Sequence, residues 1–539
     1  RRRPALASAI AIVLVTVIIA FQQITAAWRS EQVQRTVAEH SRDDALAGLR
    51  TARGAVDLWL TGISDVLKWY PALQEPRERM LQTAADDYAA FASRQSDDPR
   101  LELERGRTLL RLSDVQKLQL KLDAATASSK TAIDRFQSLL SEPVVQREAL
   151  TESVSGRLRL VLLAFDQQKL DSVEAELAAA DEALQKLETS NDAVARGEAR
   201  VPANAANSAT YANAATEAAR EQAEAQLVPA LRIQWLLLSS QWEETRGKFE
   251  AAETSRRQAV ARSDELLRQW PDSVSVQQNS ARSRQELASL LTRLGRPDEA
   301  AAAFRLAIEA FETLVRQAPD QPLLLNQRGN CLLNATDAFR SAGAFADQLR
   351  ASEIAVEDFA DLTTALPGVA DFEESLGFAR STLAQLRHGI DDNQSALPLA
   401  KQSAVQLQKL FLQSDQLPRY RSSLAWSLNV LGRVAGTLGN HELAISSLTD
   451  AADHYATLKQ QSPDSLAWSE LHAISLGHLG RVLGEAGNAS DGEDRLTEAI
   501  DRLTELAANS PEIPAFQSDL AWMRFHRGSL RHGIEAASS

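Results

Sequence analysis

The sequence predicts an all-α chain built from repeated helical pairs, and three observations carry that prediction. Five prolines, Pro271, Pro319, Pro367, Pro463 and Pro511, fall on a grid of 48 residues. A glycine marks the middle of the units at Gly295, Gly343, Gly439 and Gly487, with Asp391 in the one unit that lacks it. A tight turn between two helices needs a residue there that tolerates positive φ. Aromatic residues are only 5% of the chain and hydrophobic residues 44%, and alternating β-branched runs are nearly absent, so strands are not expected. Each unit reads as helix, turn, helix, proline. One such pair cannot bury its apolar face alone, so stacked copies share an elongated core in a solenoid.

Taken from the start, Arg1, Arg2 and Arg3 precede an apolar run from Ala5 to Phe21 that extends to Trp28. As a helix, residues 5–28 span about 36 Å, enough to cross a bilayer with some tilt. The arginines and the amphipathic Trp28 place residues 1–4 in the cytoplasm and the repeats beyond the membrane. The chain is therefore expected in the inner membrane, single-pass, with periplasmic repeats. A signal peptide cleaved before Trp28 is the alternative, with Thr25 and Ala27 as its small residues, but the apolar run is longer than a usual signal core. Residues 29–70 carry Val56, Leu60, Ile63 and Leu67 on one helical face and read as a stalk helix, the candidate surface for a homodimer.

Residues 71–190 follow as three or four helices without a clean 48-residue register. Asp98 ahead of Pro99 marks a helix start there, with Glu102 in the first turn. Residues 191–226, rich in alanine and asparagine, read as a linker leading into a weakly packed helix. Residues 227–270 form a helical repeat. The regular units run from Pro271 to Ser510, the fourth with a shifted proline at Pro418, and a capping helix ends the array by Ser539.

The residue types narrow the family. LGRV stands at Leu431–Val434 and again at Leu479–Val482, and Leu431, Gly432, Ala435, Gly439, Ala444, Leu448 and Ala451 carry the tetratricopeptide spacing, in which small residues let paired helices approach. These units resemble tetratricopeptide (TPR) repeats whose second helix is about two turns longer than in the usual 34-residue unit. From Ala55 to Val115, AVDLWLTGISD, PALQEPRERMLQTAADDYAAF and DDPRLELERGRTLLRLSDV resemble the segment after the membrane helix in large bacterial receptor-type serine/threonine protein kinases. That resemblance implies a cytoplasmic kinase domain N-terminal to Arg1. These residues hold no glycine-rich phosphate loop, HRD loop or DFG site, so no catalytic residue is carried over.

Other chemistry is sparse. No HExxH occurs, and His472 with His478, like His526 with His532, are six apart and share no helical face for a metal. The neighbouring carboxylates Asp86 and Asp87, or Glu243 and Glu244, point in different directions on a helix. The lone Cys331 reads as an inert buried thiol, and Trp426, Trp468 and Trp522 as core or groove residues of the repeats. The net charge is −14, and −17 without the three leading arginines, which argues against nucleic acid. No cofactor or metal is expected. Two functions fit: a sensor and protein-interaction region of a membrane-anchored kinase, or a stand-alone membrane-anchored adaptor of an envelope complex. Either way the expected ligand is a protein or peptide on the concave face, with Arg421, Asn429, Arg433 and Arg481 as groove candidates. Three of these are cationic on an acidic chain, favouring acidic segments.

Overall fold

A computed structural model describes residues 74–93, 98–167, 169–195, 211–319, 321–413, 418–463, 465–509 and 514–538. Among these residues there are helices and turns and no strands, as the composition requires. The expected membrane helix at 5–28 and stalk at 29–70 lie outside the described residues. Among the described residues, no helix is long and apolar enough to cross a membrane.

The chain divides into two compact units, residues 1–170 and 171–539. In the first, α1 (Gln74–Ala92), α2 (Pro99–Leu118), α3 (Leu122–Ser138) and α4 (Gln146–Gln167) enclose a core around Leu81, Leu103, Leu110 and Phe136. The start of α2 is as the sequence indicates: the Asp98 carboxylate accepts the Arg100 N–H, satisfying a first-turn donor. The absence of a 48-residue register here does not hold for the backbone. After α2, Leu120 takes φ 61° and the Lys121 N–H reaches back to the Gln116 carbonyl at 2.9 Å. The same bond recurs 48 residues on, from Lys169 to Ala164 at 3.0 Å. The backbone bond is repeated where neither copy carries a glycine, which hides it from the sequence.

In the second unit, α5 (Val173–Ala195) and α6 (Tyr211–Thr245) flank the alanine-rich interval. The linker expected over 191–226 is narrower than its composition suggests, because α5 runs to Ala195 and the boundary at residue 227 falls inside α6. Arg232 holds the two helices together: its Nε and Nη2 donate to Glu188 at 3.0 and 2.9 Å, while Trp235 Nε1 donates to the Leu177 carbonyl at 2.8 Å.

The pairs that follow are α7 (Phe249–Gln269) closing on α6, then α8 (Val274–Arg293) with α9 (Pro297–Gln317), α10 (Pro322–Ser341) with α11 (Phe345–Ala365), and α12 (Ala370–Gly389) with α13 (Asn393–Gln413). They continue with α14 (Pro418–Thr437) and α15 (His441–Gln461), α16 (Leu466–Glu485) and α17 (Ala489–Asn509), and a last helix α18 (Pro514–Ser538). First helices have 20 residues and second helices 21 in the four complete pairs from α8 through α15, and again in α16 and α17. The excess over a 34-residue unit is therefore shared by both helices and does not lengthen the second alone.

Each turn closes in the same way. Gly295, Gly343, Gly439 and Gly487 have φ between 67° and 91°, and Asp391 has φ 62°. The next residue donates to the carbonyl five back, for example Asn440 to Ala435 at 2.9 Å, the bond that ends a helix on a left-handed residue. Gly247, one unit upstream, has φ 70° and extends the grid to α6 and α7. Pro271, Pro319, Pro367 and Pro463 each lie two residues beyond a second helix, and the residue before each is pushed to φ between −126° and −141°. The glycine of LGRV has a packing reason. A Cβ on Gly480 would lie 2.7 Å from the Gly492 carbonyl oxygen, so α16 and α17 touch backbone to backbone.

Candidate functional site

First helices α12, α14, α16 and α18, with Tyr455 of α15, bound a recess of about 340 Å³. Its walls follow the repeat. Trp426, Ile474 and Trp522 stand 48 residues apart in successive first helices and all line it. Trp522 is held between two histidines that are themselves one repeat apart, His478 with ring centroids at 4.6 Å and His526 at 4.0 Å.

Three buried hydroxyls on α12, α13 and α14 are satisfied. Ser381, Ser403 and Ser427 form a chain of hydroxyl contacts at 2.7 and 2.8 Å that ends on the Gly377 carbonyl. The recess itself is different. Trp426 Nε1, Asn429 Oδ1, the Tyr455 hydroxyl and His478 Nδ1 are buried, line it, and have no hydrogen-bond partner among the described residues. Asn429 is 3% exposed and Tyr455 1%. A buried polar atom left unpaired costs about 1–3 kcal/mol, and four of the twenty such atoms among the described residues line this one recess.

The charges agree. Arg433 lines the recess with no carboxylate in ion-pair distance among the described residues, and burial, then the nearby Arg481, pushes its guanidinium down from the usual arginine value. Asp519 also lines it with no cation paired to it among the described residues, and burial pushes its carboxyl up. Glu470 is raised by burial and by Asp519 beside it. Burial, followed by the cations Arg433 and Arg481 and by His526 and His388, holds His478 well below the ordinary histidine value, so it is neutral at pH 7.

The four groove candidates part company here. Asn429 and Arg433 line the recess. Arg481 stands nearby, in reach of Gly436 on α14, but donates to Glu485 at 2.6 Å. Arg421 is elsewhere: its guanidinium lies over the Phe411 ring at 4.8 Å, with Nη1 3.4 Å from His454 Nδ1. Trp426 and Trp522 combine the two roles expected of them, packing against core and walling the recess, whereas Trp468 stacks on Tyr455 at 6.4 Å. Sequence reasoning passed over Tyr455 and Asp519 and weighed His478 only as a metal ligand. The signal was the grid applied to polar positions, since Gln385, Arg433 and Arg481 share one column and His478 and His526 another.

Other features carry less. A larger cleft near α12 and α13, of about 680 Å³, is open to solvent, and its Arg380 donates to Gln406 at 2.6 Å. Glu244 is paired with Arg256 and Arg293, and Glu243 accepts from Ser255 at 3.1 Å. Among the described residues, no cluster of three or more His, Cys, Asp or Glu is placed to hold a metal.

Comparison with known proteins agrees with the geometry. Residues 281–313, most of α8 and of α9, match the tetratricopeptide repeat family. That stretch is a TPR repeat. No protein of curated function matches this chain. Similar solved structures include apo RapI, at 12% identity over 81% of this chain and 98% of that one with a TM-score of 0.42. The signal-transduction ATPase with a TPR sensor from Pyrococcus horikoshii has 11% identity, coverage of 75% and 52%, and a TM-score of 0.42. The apo quorum sensor NprR from B. thuringiensis has 12% identity, coverage of 70% and 81%, and a TM-score of 0.37.

Proposed function

We propose that this TPR array is a sensor and protein-interaction module whose recess among α12, α14, α16 and α18 takes up a peptide segment. The unpartnered ring of Trp426 Nε1, Asn429 Oδ1, the Tyr455 hydroxyl and His478 Nδ1 carries this reading. Peptide backbone supplies donors and acceptors at short intervals, which is what such a ring lacks. The test places a photoreactive side chain at Ile474 in the wall of the recess. A crosslinked partner that disappears in Asn429→Ala/Arg433→Ala is the expected result, and an unchanged product pattern overturns the reading.

We place the module in a membrane-anchored serine/threonine kinase, with the catalytic domain N-terminal to Arg1 and the repeats outside the cytoplasm. The arginine-flanked apolar run at 5–28 and the kinase-like segment at 55–115 support this. Protease added to spheroplasts then digests the repeats, and an in-phase kinase frame lies upstream of the Arg1 codon. Protected repeats overturn the topology. A start codon immediately ahead of Arg1 leaves the stand-alone adaptor in its place.

A further inference from the structure

The second helices of the array carry an acidic column with one break. Glu309 on α9, Glu357 on α11, Asp453 on α15 and Asp501 on α17 fall on the 48-residue grid, and all four are exposed. The same position on α13 is Val405, which is 73% exposed. The net charge breaks there too: α9, α11, α15 and α17 each hold more carboxylates than cations, whereas α13 holds Lys401 and Lys409 and no carboxylate. Charge and polarity change together, on one helix.

Lys401, Val405, Lys409 and Leu412 lie within roughly 80° of one another around α13, so they form a single stripe along it. Leu412 is exposed as well, and neither lysine forms an ion pair among the described residues. Lys401, Val405 and Lys409 line the cleft of about 680 Å³ that α13 shares with α12. Arg380 of α12 adds a third cation to its wall. Gln406 holds it there, its Oε1 accepting from Arg380 Nη1 at 2.6 Å while its Nε2 donates to the Glu373 carbonyl at 2.7 Å. The guanidinium thus meets a neutral amide in place of a carboxylate. Against three cations, Glu373 is the one carboxylate lining the cleft among the described residues.

A lone exposed valine is ordinary on a protein surface. Here it is bracketed by unpaired cations where four other units present a carboxylate, on a chain whose net charge is −14, and that combination selects its own complement. From this juxtaposition we propose that the α12–α13 cleft docks an acidic amphipathic helix of a partner protein, an apolar side chain against Val405 and one carboxylate on each of Lys401 and Lys409. The two lysines are eight residues apart, about 12 Å along the helix axis. A partner helix matches that spacing with carboxylates at i and i+8 and the apolar residue at i+4, all on one stripe. An extended polyanion would also face Glu357 and Asp453 of the flanking units, which repel it. The cleft shares no lining residue with the recess, so this surface is additional to the peptide site proposed above and does not rest on it.

The experiment uses the full chain and the fluorescence anisotropy of labelled alanine-based helices of about 18 residues, long enough to be helical in water. One carries Glu, Leu and Glu at i, i+4 and i+8; a second has Lys in place of both Glu; a third has Ser in place of Leu. The first is expected to bind about tenfold more tightly than either of the others. Lys401→Glu/Lys409→Glu should turn the preference toward the lysine helix, a gain that an unfolded variant cannot mimic. Val405→Asp, which installs the acidic residue type of the other units, should lower affinity for the first helix about tenfold with an unchanged circular-dichroism spectrum. Equal binding of the glutamate and lysine helices, no binding of any helix, or an affinity untouched by Val405→Asp overturns the proposal. Sedimentation velocity addresses the other occupant. Self-association that Val405→Asp abolishes would make the cleft an interface between two copies of this chain and overturn the partner helix.

Discussion

Asn429 and Ser475 join α14 to α16 through a buried hydrogen bond of 2.9 Å, the Asn429 Nδ2 donating to the Ser475 hydroxyl. The bond lies beside the recess and fixes which face of the amide the recess sees. Structure and binding depend on it differently. Ser475→Ala removes the acceptor and leaves a buried Nδ2 unpaired, which costs about 1–3 kcal/mol. Asn429→Ala removes both the donor and the free Oδ1, so it also relieves an unsatisfied atom. Chemical denaturation should therefore find Ser475→Ala at least as destabilising as Asn429→Ala, while peptide binding falls further in Asn429→Ala. The opposite order in binding would show that Oδ1 is not the contact.

Gly439 and Gly480 are required for different reasons, and their substitutions separate them. Gly439 has φ 75° with open space around its Cβ position, so alanine there meets only backbone strain, about 1–2 kcal/mol. Asparagine tolerates that conformation and should recover part of the loss. Gly480 is helical, and its Cβ would press on the Gly492 carbonyl at 2.7 Å and Leu496 Cγ at 2.8 Å. Gly480→Ala should cost about 1–3 kcal/mol, and asparagine there should cost more. Equal rescue by asparagine at both positions would contradict the assignment.

This division shows what a sequence of this kind makes legible. The turn glycines and the prolines act within a few residues of themselves, so their spacing reveals the units, and Asp391 shows that the grid survives loss of the glycine. Leu120 shows the limit: a left-handed leucine offers no local sign of a turn, and the register of the first unit goes unseen. The site was only half legible. Asn429 and Arg433 stand out as polar residues on a first helix. Tyr455 comes from a second helix and Asp519 from the last one, and their lack of partners arises only when four helices are stacked.

Cys331 on α10 is fully buried, and burial pushes its thiol up to about 12. The thiolate is the reactive form, so native protein at pH 8 should resist iodoacetamide. Full labelling should appear only on addition of denaturant. Rapid labelling of the native chain would place the thiol at the surface.

Acid should weaken the fold through its buried histidines. His472 is 7% exposed, and burial, reinforced by Arg502 and Lys459 and opposed by Glu498 and Asp453, lowers it to about 4. His478 and His454 are shifted in the same direction. A histidine whose folded value lies below its unfolded value of about 6.5 stabilises the fold as the neutral ring. That contribution is complete above pH 6.5 and is lost as pH falls toward 4, because the unfolded chain takes up the proton first. The slope is at most about 1.4 kcal/mol per pH unit for each such histidine. Glu470 and Asp519, raised by burial, act in the opposite sense at their own lower range. Urea unfolding at pH 7.5, 6 and 5 should show falling stability, and His472→Gln should flatten part of that fall. Stability that does not change between pH 7.5 and 5, or a slope untouched by His472→Gln, would mean that the ring is not held neutral in the fold.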